Sequence, residues 1–114
     1  MKVMVIVKAN ADSEAGRMPS EQELSEMGAF NEQLVAAGIM LAGEGLHATQ
    51  RGRRIHFGSG APRVEAGPFG PAGDPIAGFW LWDVRSLDEA TEWASRAPFG
   101  AGGALGAQRV AQAA

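Results

Sequence analysis

The chain opens on an unbroken apolar run. Val3, Val5 and Val7 alternate with Met4 and Ile6 between Lys2 and Lys8. A Val/Ile-rich run of this length, bounded by Asn10 and Asp12, predicts a strand over residues 2–8. Both parities are apolar, so both faces of that strand need cover. The period then changes. Leu24, Met27, Phe30, Leu34 and Ala37 recur at three- and four-residue steps, the stripe of an amphipathic helix over 20–37. Ser20 and Glu23 form a capping box at its start, and Gly38 stands where a C-terminal glycine cap belongs. Glu21, Glu26 and Glu32 occupy the outer side without a basic partner, the pattern of a solvated acidic face.

A second strand is predicted over Ile39–His47, again apolar on both parities as far as Leu41. A tight turn centred on Arg51 and Gly52 would return the chain as a strand over 54–57. One more short strand fits 62–66, and the rest of 58–78, rich in glycine and proline, reads as loop. Phe79–Val84 is the most apolar strand, bulky on both faces. Ser86 and Glu89 form a second capping box. The helix that follows runs through Leu87, Ala90, Trp93, Ala94 and Ala97, with Arg96 in its last turn, and stops at Pro98. Glycines from 100 to 106 lead into a weak last strand near 107–111. The order β-α-β-β-(β)-β-α-β predicts an α+β fold: a ferredoxin-like unit, an antiparallel sheet with two helices on one face. Two helices cover one face only. Three strands apolar on both parities therefore predict a homodimer in which a second copy covers the other.

Composition narrows the class. At 114 residues the chain is the size of one domain, taken as 1–114. The absence of Cys removes disulfides, thiol nucleophiles and Cys-ligated metal sites. A net charge of −3 with a pI near 5.3 argues against nucleic acid as a partner. No apolar run approaches the roughly 20 residues of a membrane helix. The first residues lack the long apolar core of a secretory signal, so no membrane partner and a cytoplasmic location are expected. Two histidines without ligand spacing predict no metal, and no glycine-rich phosphate loop or nucleophile elbow points to a cofactor or a hydrolase triad.

Several segments, in order, resemble one family. They are M-V-I-V-K-A-N at 4–10, E-A-G-R-M-P-S-E at 14–21, L-A-G-E-G-L-H at 41–47, G-P-F at 67–69, A-G-F-W-L-W at 77–82 and S-L-D-E-A-T-E-W at 86–93. Together they resemble the YCII-related proteins, in particular the DGPF branch. The resemblance implies a dimeric α+β barrel with two sheets packed face to face. It departs from the branch at the motif itself. Ala66-Gly67-Pro68-Phe69 stands in place of Asp-Gly-Pro-Phe, and the charged run that usually follows is replaced by Gly70-Pro71-Ala72-Gly73-Asp74-Pro75. Some relatives are linked to lyase-type dechlorination with a His–Asp pair, a pair that the resemblance does not place on residues of this chain.

Candidate chemistry rests on few groups. Glu44 lies between Gly43 and Gly45, in phase with Met40, Ala42 and Leu46, where burial would raise its pKa and suit a general acid or base; a strand-end glutamate in water is the plain alternative. His47 and His56 would face each other across the predicted hairpin, either as polar surface or with His47 as acid/base. Lys8 ends the first strand in phase with Ile6 and could hold a substrate anion, or simply reach solvent. Trp80, Trp82, Met40 and Phe69 would shape an apolar pocket or fill the core, and Asp74 is the acid left in the 66–76 loop. The expected function is a small cofactor-independent enzyme doing acid/base chemistry, of lyase, isomerase or cyclase type. Its substrate would be a small, largely apolar organic molecule, of the kind met in specialised metabolism. The alternative is a non-catalytic small-molecule-binding or accessory protein of the same fold.

Overall fold

A computed structural model of the chain describes residues 1–111; the last three positions of the expected domain lie outside it. The elements in chain order are β1 (Lys2–Lys8), α1 (Ala11–Glu14), α2 (Glu21–Ala36), β2 (Met40–Gly45), β3 (Arg53–His56), β4 (Arg63–Ala66), β5 (Ile76–Asp83), α3 (Leu87–Ser95) and β6 (Leu105–Arg109). Single 3-10 turns occupy Thr49–Arg51 and Pro71–Gly73. The main sheet has the order β2-β5-β1-β6, with every neighbour antiparallel. This is the expected ferredoxin-like α+β arrangement.

Local chemistry explains the helix starts. Ser20 Oγ accepts from the Glu23 backbone N–H and Ser86 Oγ from that of Glu89, both at 3.1 Å. Neither glutamate closes a full box. The Glu23 carboxylate takes the Arg17 guanidinium, and Glu89 reaches past the cap to the Arg85 N–H at 3.0 Å. The short helix α1, which the apolar pattern does not reveal, rests on a reciprocal Asn10–Ser13 box.

Val3 and Val5 of β1 stand opposite Trp82 and Trp80 of β5. With Phe30 and Leu34 of α2, Ile39, Val84 and Ala90 of α3, they form the buried core between sheet and helices. Four aromatic rings meet there, with Phe30 edge-on to Trp80 at 5.8 Å between centroids and Trp80 5.6 Å from Trp82. The opposite parity forms the other face: Met4 and Ile6 of β1, Phe79 and Leu81 of β5, Ala42 and Glu44 of β2. No layer of the described chain covers it, since the thinnest extent of the molecule is 19 Å. That is the depth of one sheet and one layer of helices, which pack about 10 Å apart.

The structure corrects the middle of the chain. Residues 50–53 do not return β2 on itself. The 3-10 turn leads the chain away, and β3 pairs with β4 as a separate two-stranded sheet, Ile55 opposite Val64 and His56 opposite Arg63. Strand β5 begins at Ile76, inside the stretch read as loop, and β6 lies two residues earlier than expected. β2 also carries an irregularity. Met40 stands opposite Trp82, but Ala42 stands opposite Leu81, so Leu41 is the extra residue of a bulge. A bulge reverses the alternation. Met40 therefore faces the helices while Ala42 and Glu44 face away, and the phase shared by Met40 and Glu44 in the sequence is lost.

Candidate functional site

The C-terminal ends of β1 and β2 and the N-terminal ends of β5 and β6 lie at one rim of the sheet, and the loops that leave them interlock there. Ala9 N–H donates to Pro75 O, Lys8 N–H to Ala104 O and Leu46 N–H to Ala77 O, at 2.8–3.0 Å. Four of the candidate residues are gathered at this rim. Lys8 Nζ meets Asp74 Oδ2 at 2.7 Å. Asp74 follows the 3-10 turn in the left-handed region, φ 49°, a conformation Asp tolerates better than most residues. Phe69, half-buried, stands beside them, with the Arg54 guanidinium stacked 4.1 Å from its ring centroid. His47 lies across the rim, exposed, with Nε2 3.2 Å from Arg51 Nη1.

Two residues that the sequence did not single out tie the loop down. The Glu14 carboxylate accepts from both the backbone N–H and the hydroxyl of Thr49, and Thr49 Oγ1 in turn accepts from the Phe69 N–H at 3.0 Å. Gly67 passes so close to this turn that a Cβ would lie 1.7 Å from Thr49 O. The G-P-F motif is thus a backbone requirement: only glycine permits the approach, and Phe69 is then presented to Arg54. Arg54 also donates to Gly73 O at 3.1 Å. Phe69, Asp74, Glu14 and Asn10 border an open cleft of about 500 Å³ with Pro68 and Pro71. The E-A-G-R-M-P segment had flagged the stretch around Glu14; Thr49 carries no signal readable without the fold.

The remaining candidates separate. Trp82 is wholly buried in the core and lines neither cleft; its indole Nε1–H has no acceptor among the described residues. Trp80 and Met40 face a second cleft, of about 330 Å³, between α2 and the sheet. Glu44 is exposed and, by alternation, points from the uncovered sheet face, the same face as Lys8. Glu44 borders the cleft under α2, but it is exposed, so the expectation that it is at least half-buried is not met within one chain. His56 is not the neighbour of His47. It pairs with Glu65 at 2.8 Å on the separate hairpin, and that contact holds the Glu65 carboxyl below the usual carboxylate range. Among the described residues no group of three His, Asp or Glu side chains could hold a metal, and no helix is long and apolar enough to cross a membrane.

The rim can therefore supply one paired ammonium, several carboxylates and an imidazole around two apolar clefts. The fold that carries it is shared with the solved structure of 5-chloro-2-hydroxyhydroquinone dehydrochlorinase, TftG, from Burkholderia phenoliruptrix AC1100 in complex with 2,5-dihydroxybenzoquinone. The two superpose with a TM-score of 0.53 at 19% sequence identity, covering 99% of this chain and 96% of that one. Identity at that level speaks for the fold alone. No curated protein matches the chain. The YCII-related domain matches residues 1–113, and the chain accordingly belongs to the YCII-related family.

Proposed function

We propose that this protein is a small homodimeric enzyme, independent of cofactors, that performs acid/base chemistry on a small, largely apolar organic molecule. The observation that carries the reading is the Lys8–Asp74 pair, 2.7 Å apart at the sheet rim. Val7, the residue before Lys8, lines the apolar cleft under α2, and Asp74 borders the cleft beside Phe69. An ammonium held by one carboxylate can donate instead to a phenolate or enolate oxygen, which favours loss of a proton from the adjacent carbon. Glu44 projects from the same sheet face as Lys8. A second copy packed on that face would remove Glu44 from water and hold its carboxylate against the bound molecule, the placing that a general base needs. Elimination, isomerisation and ring closure all follow from such a proton removal. The dehydrochlorinase activity for which the structural relative is named belongs to the first of these types.

The second reading, a binding or accessory protein, draws support from the cleft under α2, whose lining is mostly apolar and where the Asn31 amide, a group that does not titrate, holds the Trp80 indole. One experiment separates the two. The protein is incubated in D2O with halogenated and unhalogenated hydroxyarenes and cyclic enones, and deuterium incorporation or halide release is followed. Turnover is expected, and Glu44→Gln and Lys8→Met should each lower it about 100-fold or more, the usual contribution of a positioned acid or base. Turnover insensitive to both variants, or none with any compound, removes the catalytic reading.

A further inference from the structure

The cleft between α2 and the sheet has a definite shape. At about 330 Å³ it lies at the small end of ligand sites. Its floor is main chain. Gly43 and Gly45 of β2 turn their missing side chains toward the helices, and Gly78 of β5, opposite Gly45, lies so close to β2 that a Cβ there would stand 2.9 Å from Glu44 O; Gly43 is opposite Trp80 in the register. A Cβ on Gly45 would meet nothing within 4 Å, so the space above it is empty. A Cβ on Gly43 would lie 2.6 Å from Trp80 Cδ1 and 2.9 Å from Met40 Cε, so glycine there lets both side chains lie against the strand as walls. Met27 and Phe99 close the other sides.

Asn31 brings an amide to this apolar space, and Glu44 borders it from β2. Met27 and Asn31 stand one turn apart on α2, beside the Phe30–Leu34 row that enters the core. Asn31 Oδ1 accepts the Trp80 Nε1–H at 3.0 Å. An indole N–H can only donate, so the bond sets the amide's orientation and leaves its NH2 group as the free donor. Among the described residues that NH2 group makes no hydrogen bond.

We infer that this cleft binds a flat, largely apolar ring compound bearing an acceptor oxygen, with the ring against the glycine floor and the oxygen on the Asn31 amide. A planar ring can lie at van der Waals distance over strand backbone that lacks Cβ atoms. Thioethers of Met27 and Met40 adapt to its edges, and Trp80 and Phe99 offer aromatic contacts. The amide makes the site selective. A bound ring with an acceptor satisfies the donor, while a plain hydrocarbon leaves it buried and unpaired, which weakens binding. The inference rests on the proposed function for the size and apolarity of the occupant; binding is read here without turnover, so the two stand or fall separately.

The test is a titration of 15N-labelled protein with 1-indanone, a flat ketone without donors, and with indane, its deoxygenated counterpart. The backbone amides of Gly43, Gly45 and Gly78 and the Asn31 side-chain amide are followed. Saturable shifts are expected with 1-indanone, and binding of indane about tenfold weaker or worse. Gly45→Val places its side chain in the empty space; it should weaken both ligands about tenfold or more while the melting temperature stays within that of the parent. Asn31→Asp keeps the acceptor for Trp80 but has no donor; it should weaken 1-indanone and leave indane unchanged. Shifts that do not saturate, 1-indanone binding that survives Gly45→Val, or equal loss of both ligands in Asn31→Asp would overturn the inference. Binding without any turnover removes the catalytic reading and leaves this one standing, and turnover with no binding here does the reverse.

Discussion

Trp80 and Trp82 share a strand face, are both buried, and differ in one hydrogen bond. The Trp80 indole N–H is held by Asn31, whereas that of Trp82 is buried without an acceptor among the described residues. Replacing either by Phe removes similar volume. Trp80→Phe also loses a made hydrogen bond, while Trp82→Phe removes an unmade one. Trp82→Phe should therefore be the milder change by about 1–2 kcal/mol in chemical denaturation. Equal losses would mean that the Trp82 donor is satisfied in solution. Gly67 gives a sharper case. With Thr49 O only 1.7 Å from the place of a Cβ, Gly67→Ala forces the backbone of the 66–76 loop apart from the Thr49 turn. A loss of about 2 kcal/mol or more is expected, read as a lowered melting temperature, with the Thr49 amide resonance shifted. From the sequence, the G-P-F motif could be recognised but not explained, because its reason is a contact with a residue 18 positions earlier.

At the scale of elements, the helices obey local rules and the strands depend on partners. The cap of α3 illustrates the first. The Arg85 backbone N–H, and then its guanidinium, hold the Glu89 carboxyl below the usual carboxylate range. A carboxyl depressed in the folded state adds stability above its unfolded value, about 4.3, and that stability is lost as the pH falls through the lower folded value. Glu89→Gln should therefore melt below the parent at pH 7 and draw level with it near about pH 2. A difference that persists unchanged in acid would place the effect in packing instead of charge. The strands illustrate the second point. The two-residue turn expected at Arg51-Gly52 obeys hairpin chemistry, yet β2 finds its neighbour in β5, more than 30 residues away in the chain, and β3 finds β4. Hairpin signals report local geometry, and a long-range pairing that buries Trp80 and Trp82 outweighs it.

The whole molecule is a two-layer slab with an apolar face on one side. Met4 is 37% exposed in the centre of that face, flanked by Ile6, Phe79 and Leu81. The β3–β4 hairpin adds Ile55 and Val64 on one of its sides, 48% and 61% exposed, and Phe57 just beyond β3 is 82% exposed. Apolar surface of this extent on a small chain marks an association surface. Four strands spaced about 4.8 Å apart and roughly 20 Å long present about 400 Å² of flat sheet. A stable dimer buries about 800 Å² on each partner, so the sheet face needs the hairpin or the rim loops to complete it. A particle of twice the chain mass is expected at micromolar concentration by light scattering. Leu81→Glu, which puts a charge in the middle of the sheet face, should yield the monomer with its circular dichroism intact. A parent that is already monomeric would leave the two-sided strands unexplained and Glu44 in water.

What the amino-acid sequence determined by itself is whatever depends on near neighbours. The helices at 21–36 and 87–95 and their serine caps, the strands β1, β2, β4 and β5, and the two apolar parities that point to a second copy are all written in runs of a few residues. The tertiary structure decided which strands pair, and with them the composition of the site. A single bulged residue, Leu41, sends Met40 to the helix side and Glu44 to the other. The pairing of β3 with β4 parts His47 from His56. The closure of the 66–76 loop brings Asp74 to Lys8 and Phe69 to Arg54. These outcomes are global because alternation along a strand carries no memory across a bulge, and because the partner of a strand is chosen by the area that the whole sheet buries.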